Sequence, residues 1–341
     1  MKLVGAGLQA YLKQENFNFP EFRQRPPWIG ADLQTVRNSF AAPAALAAEY
    51  GRLSVPIGGA DGSALSLAYT PAAASPEGAN DSDSGKALVL VHGLGGSEDS
   101  SYMKNAAAYF SRRGWQVYRM NYRGVGPSRA TSKAPYSAGL TGDLRSVLRS
   151  VSAQKGIEDI CVMGFSLGGQ LILRTFGEGD VDTKVRAAVT VSAPLDLAAS
   201  QRRLERRRNA PYVRYIVGNM KRDMAGICHK AITINIDKIS SVLAFDDHVI
   251  APYFGFANAQ DYYRCVSCLP LIGKIGLPTL AIHSADDPWI PVADYHKADW
   301  PASMPVGAAI LRRGGHVGFH SANAKAAWFE PVSESFFGKF T

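Results

Sequence analysis

Ile160-Cys161-Val162-Met163-Gly164-Phe165-Ser166-Leu167-Gly168-Gly169-Gln170-Leu171-Ile172-Leu173 decides how this chain is read. The first four residues form a short apolar run that predicts a buried strand. The last five predict a helix. Between them, Gly164-Phe165-Ser166-Leu167-Gly168 is a tight turn with a serine at its apex. A serine in such a turn sits in a strained backbone conformation, and its hydroxyl stands clear of the sheet as a nucleophile. The glycines follow from the same geometry, because a side chain at 164 or 168 would crowd the neighbouring strand or helix.

A serine nucleophile requires a base, and the base requires an acid that orients it. In the α/β-hydrolase fold, where this turn is found, the chain order is Ser, then Asp or Glu, then His. Residues 277–283 read as a buried strand running into Ser284-Ala285-Asp286-Asp287-Pro288-Trp289-Ile290-Pro291. Asp287, four residues before Pro291, is the expected acid. Asp286 is the alternative, or else an Asx-type residue that caps the loop. Residues 308–311 read as the last strand, leading to Arg312-Arg313-Gly314-Gly315-His316-Val317-Gly318-Phe319. His316 is the expected base. His283 ends an apolar strand and is expected to be buried, hydrogen-bonded and structural. His320 lacks the glycine setting. His229, His248 and His296 are expected at the surface or in packing.

Val89-Leu90-Val91-His92-Gly93-Leu94-Gly95-Gly96-Ser97 is a β-rich run ending in His-Gly and small residues. In this fold that loop donates one amide to the oxyanion hole, and the residue after the nucleophile donates the other. Leu94 and Leu167 are the expected donors, with His92, Gly93, Gly164 and Gly168 supporting the motif. As a phosphate loop the stretch fails: it has no suitably placed lysine and does not match the dinucleotide fingerprint.

Further motifs carry a family resemblance. Pro27-Trp28-Ile29-Gly30-Ala31-Asp32-Leu33-Gln34-Thr35-Val36, His92-Gly93-Leu94-Gly95-Gly96-Ser97, Asn121-Tyr122-Arg123-Gly124-Val125-Gly126 and above all Phe245-Asp246-Asp247-His248-Val249-Ile250-Ala251-Pro252 resemble the YheT-type α/β-hydrolases, a group of esterases and lipases. The resemblance runs over roughly residues 26–319. It implies a serine hydrolase of carboxylic esters, with acylglycerols or phospholipids among the substrates, and it sets Ser166, Asp287 and His316 on the group's triad positions. An acyltransferase with the same triad, or a non-catalytic binding protein on this fold, is the rival reading.

Strand-like and helix-like runs alternate from residue 87 to 191, which predicts a mostly parallel central sheet with helices on both faces. The rhythm breaks after Val191, where a helical, basic and aromatic stretch predicts a lid insertion. The expected organisation is an N-terminal segment at 1–50 packing on the core, a first core part at 51–194, a lid at 195–276 and a second core part at 277–341. Residues 70–85 read as a surface loop by composition.

The 341 residues carry a formal net charge of +8. Arg202, Arg203, Arg206, Arg207, Arg208, Arg214, Lys221 and Arg222 concentrate it in the lid. They read either as a patch for an anionic membrane surface or as a solvated helical face. No nucleic-acid module accompanies them. Asp246 and Asp247 are expected to cap helices and anchor the lid, or to line an acyl pocket covered by Tyr253, Phe254 and Phe256. Cys161, Cys228, Cys265 and Cys268 show no disulfide framework and read as free thiols. The opening residues have too short an apolar run for a secretory signal. No metal or organic cofactor is expected, and the expected location is cytoplasmic, with a peripheral membrane contact.

Overall fold

The computed structural model describes residues 1–46, 51–58, 62–73, 85–132, 134–225, 227, 232–322 and 324–341. Most of the 70–85 loop, Cys228 and His229 lie outside these residues. The apolar runs form β4 (Lys86–Val91), β5 (Gln116–Met120), β6 (Asp159–Phe165), β7 (Val185–Val191), β8 (Thr279–Ser284) and β9 (Val306–Leu311). They follow β1 (Lys2–Val4), β2 (Arg52–Pro56) and β3 (Ala64–Thr70) in the chain. The described strands make one sheet in the order β1-β9-β8-β7-β6-β4-β5-β3-β2. From β5 through β9 every pairing is parallel. The β2, β3 and β1 pairings are antiparallel.

Both faces of the parallel strands are covered, so these strands are mostly apolar instead of alternating, with Arg119 of β5 and Thr190 of β7 among the buried exceptions. Leu88 and Leu90 of β4 enter one core layer, with Met163, Phe110 and Phe336. Val89 and Val91 enter the other, with Val162, Leu171 and Phe176. Each such side chain contributes about 1.5–3 kcal/mol when taken from water. The N-terminal segment does more than pack on this core. β1 extends the sheet itself, with Lys2 opposite Ile310 and Val4 opposite Ala308. At the other end of the chain, helix Phe329–Phe337 lays Phe337 within 6.0 Å of Phe110 of helix Ser101–Ser111.

Between β7 and β8 the described residues are helical and contain no strand. They include helices Leu197–Leu204, Ala210–Asp223, Val242–Phe245 and Ala259–Val266, with a π-helical turn at Asp246–Ile250. Leu197, Leu204, Ile216, Val242 and Tyr262 of this stretch line a cavity of about 420 Å³ that also holds Ser166 and His316. No helix among the described residues is long and apolar enough to cross a membrane.

Candidate active site

β6 ends at Phe165, and helix Leu167–Glu178 begins directly after Ser166. Ser166 occupies the gap with φ 51 and ψ −120, a left-handed conformation costly for any residue with a Cβ. The neighbours leave no choice about its flanks. A Cβ on Gly168 would lie 2.3 Å from the Val91 carbonyl oxygen, and one on Gly164 would lie 2.6 Å from the Gly168 backbone. Gly93 likewise lets the β4 loop pass close to Ser166, since its Cβ would sit 3.0 Å from the serine Cβ.

The expected residues meet here although they are far apart in the chain. His316 Nε2 is 2.9 Å from Ser166 Oγ, and His316 Nδ1 is 2.8 Å from Asp287 Oδ2. Asp287 Oδ1 accepts the Trp289 and Ile290 amides at 2.8 and 2.9 Å. Both carboxylate oxygens are therefore occupied, which fixes the plane of the imidazole. Burial pushes the Asp287 carboxyl up, but His316, its hydrogen bond, His283 and the Ile290 amide together outweigh this and hold it below its ordinary range. Asp286 is not in contact with His316; its Oδ1 accepts the Gly315 amide at 3.0 Å, so it shapes the loop that carries the histidine. Trp289 covers the His316 ring at 4.2 Å between centroids. Arg203 donates to the Asp287 carbonyl oxygen at 2.7 Å, tying the helical stretch to the acid loop.

The two residues expected to donate amides lie along the same cavity as the serine. Leu94 and Leu167 both line the cavity with Ser166. Leu167 is the first residue of its helix, where amides have no intrahelical acceptor, and the Ser166 side chain does not cap them. Asn219 of helix Ala210–Asp223 donates to the Gly95 carbonyl at 2.8 Å and steadies the loop that presents Leu94. His92 points away from the chemistry. Its Nδ1 faces the Gly93 carbonyl at 2.8 Å, and its Nε2 accepts the Tyr122 amide at 3.4 Å. Burial lowers it to about 4, so it stays neutral and pins the loop to the end of β5.

Two expectations need correction. His283 is buried but not hydrogen-bonded among the described residues: Nδ1 lies 4.0 Å from Asp287 Oδ2, beyond hydrogen-bond reach, and the ring instead stacks on Tyr295 at 4.1 Å. Tyr253, Phe254 and Phe256 do not line the cavity; they pack against the core. The two aspartates have separate fates. Asp247 accepts the Ala259 amide at 2.8 Å at the start of helix Ala259–Val266, as a cap does. Asp246 is buried and lines the cavity.

Sequence reading missed one group altogether. Helix Ala31–Phe40 clamps the histidine loop. Thr35 Oγ1 accepts the His316 amide at 2.9 Å, Gln34 Oε1 accepts the His320 amide at 2.7 Å, and Asn38 donates to the Val317 carbonyl at 2.9 Å. The approach is close enough that a Cβ on Gly315, at φ 63, would meet the Ala31 carbonyl oxygen at 2.4 Å. The signal available was Leu33-Gln34-Thr35 itself, a polar pair beside glycine-requiring positions far along the chain.

Comparison with known proteins agrees with this architecture. A family model described as "alpha/beta hydrolase fold" matches residues 86–215. The chain is 34% identical over 240 residues to the protein named "Putative esterase YheT" of Escherichia coli, covering 68% of this chain and 70% of that one. It is 28% identical to a monoacylglycerol lipase of Saccharomyces cerevisiae over 74% of this chain and 59% of that protein, so it spans under two thirds of the yeast relative. A crystal structure of the Pyrococcus furiosus esterase Pf2001 superimposes with a TM-score of 0.57 at 14% identity, covering 95% of this chain and 99% of that one. That likeness is one of fold.

Proposed function

Because the chain belongs to the YheT-type α/β-hydrolases, we propose that it is a serine hydrolase that cleaves carboxylic esters through an acyl-enzyme on Ser166. The observation that carries this reading is the unbroken line Ser166 Oγ, His316 Nε2, His316 Nδ1, Asp287 Oδ2, with spacings of 2.9 and 2.8 Å, opening on a largely apolar cavity.

In this reading His316 holds its proton on Nδ1, toward Asp287, and offers the Nε2 lone pair to the serine hydroxyl. Ser166 Oγ attacks the ester carbonyl carbon as its proton passes to Nε2. The carbonyl oxygen becomes an oxyanion held by the Leu94 and Leu167 amides, each worth about 3 kcal/mol in the transition state. Asp287 stabilises the imidazolium. Collapse of the tetrahedral intermediate expels the alcohol, which takes the proton from Nε2. Water then attacks the acyl-serine with His316 again as base, releasing the acid and restoring Ser166.

The substrates are short- to medium-chain esters, with acylglycerols and phospholipids as lipid candidates. Peripheral contact with an anionic membrane belongs to the same reading. Arg206, Arg207, Arg208 and Arg214 are exposed. Arg208 pairs with Asp32 at 2.6 Å, next to the exposed Leu33 and Phe40 of the same helix.

The test is fluorophosphonate labelling together with hydrolysis of p-nitrophenyl esters of two to sixteen carbons, wild type beside Ser166→Ala. Labelling and turnover that both vanish in the variant support the mechanism. Turnover that survives in Ser166→Ala rejects it.

A further inference from the structure

Among the described residues Asp246 is the one carboxylate that lines the cavity, and no lysine or arginine among them lines it. The π-helical turn Asp246–Ile250 follows helix Val242–Phe245 and carries Asp246 at its start. Tyr263 donates its hydroxyl hydrogen to Asp246 Oδ2 at 2.6 Å. Oδ1 receives no hydrogen bond among the described residues. Tyr136 and Tyr262 line the same cavity. The Tyr262 oxygen accepts the Ala138 amide at 2.9 Å and the Ser137 hydroxyl at 3.4 Å, which leaves its own hydrogen for another acceptor. The Tyr136 hydroxyl has no hydrogen-bond partner among the described residues.

We propose that Asp246, Tyr136, Tyr262 and Tyr263 form a polar subsite in the cavity that binds a neutral, hydroxyl-bearing group of the ester substrate. This rests on the serine-hydrolase reading and narrows its substrate class. A buried carboxyl and a buried phenol need hydrogen-bond partners, and an all-alkyl substrate would remove their water and supply none. A hydroxyl both donates and accepts, so it satisfies Asp246 Oδ1 and the tyrosine hydroxyls together. A phosphate would bring negative charge against a carboxyl with no lysine or arginine among the described lining residues to balance it. Burial also pushes the Asp246 carboxyl up to about 7, against the Tyr263 hydrogen bond, so near neutrality it serves as donor as well as acceptor.

The experiment compares kcat/KM for two pairs of esters: 1-monobutyrin against methyl butyrate, and methyl 3-hydroxybutyrate against methyl butyrate. The first places hydroxyls on the alcohol side, the second on the acyl side. The wild type is expected to prefer the hydroxylated member of at least one pair by about tenfold or more. Asp246→Leu should abolish that preference, Tyr136→Phe should reduce it, and Asp246→Asn, which keeps size and hydrogen bonding, should largely retain it. A wild type without preference in either pair, or a preference that survives both Asp246→Leu and Tyr136→Phe in folded protein, overturns the subsite. In either case, fluorophosphonate labelling of Ser166 leaves the serine reading standing. A wild type that neither labels nor turns over any of these esters removes both.

Discussion

The Thr35 hydroxyl oxygen accepts the backbone amide of His316 at 2.9 Å across 281 positions of sequence. The same hydroxyl donates to the Ala31 carbonyl at 2.7 Å, so it bridges its own helix to the histidine loop. Thr35→Val keeps the shape and removes both bonds. It should lower kcat roughly tenfold and cost about 1–3 kcal/mol of stability, because a buried amide is left without an acceptor. Thr35→Ser should stay near wild type. Ester kinetics and thermal melts of the two variants check this.

Asp286 and Asp287 are adjacent but should not be equivalent. Asp287→Asn offers His316 Nδ1 an amide and disturbs its tautomer, so kcat should fall by about 10⁴. Asp286→Asn retains an acceptor for the Gly315 amide and should cost less than about tenfold. A larger loss at 286 than at 287 would reverse the assignment of the acid.

Acid lability should be traceable to buried neutral histidines. Burial lowers His283 to about 4. The unfolded chain therefore takes up its proton first as pH falls, and stability drops between about 6.5 and 4, by about 3 kcal/mol for this one group. His283→Phe keeps the stack on Tyr295, loses no hydrogen bond and removes this term. Denaturant melts at pH 7 and pH 4.5 should differ less in the variant than in the wild type. Buried Asp246, raised to about 7, acts with the opposite sign: the native state holds its proton longer, so stability falls as pH rises from about 4 to 7.

The basic rim should govern membrane binding and not chemistry. Arg206 and Arg207 are exposed and do not line the cavity. At roughly 1 kcal/mol for each basic residue near an anionic surface, Arg206→Glu with Arg207→Glu should reduce partition into vesicles containing phosphatidylglycerol by at least about tenfold. Hydrolysis of a soluble butyrate ester should be unaffected. Equal sedimentation of both proteins with these vesicles would eliminate the rim as a lipid contact.

The parallel strands were legible because strands covered on both faces are mostly apolar, and 160–163 and 308–311 need no partner to be recognised. Ser166 was legible for a related reason: its turn needs glycines two residues on either side. β1 was not, since Lys2–Val4 is too short to show a period and takes its identity from Ile310, Ala309 and Ala308. The helix Ala31–Phe40 left visible polar residues, yet their purpose lies in a loop near the other end of the chain. Asp246 and Asp247 could not be told apart in the sequence, for a geometric reason. A π-helical turn departs from the 3.6-residue period on which facing is judged, so its neighbour Asp247 became the cap while Asp246 turned to the cavity.

The clamp by helix Ala31–Phe40 also bears on when the site can exist. That helix leaves the ribosome well before residues 314–320, with most of the sheet between them. A nascent chain therefore carries both Ser166 and the helix that clamps the histidine loop before His316 itself has emerged. The line from Ser166 through His316 to Asp287 would then assemble in one late step, when the histidine loop docks on that helix. A fragment begun at residue 86, where the family-model match starts, would keep His316 and lack the helix that clamps its loop.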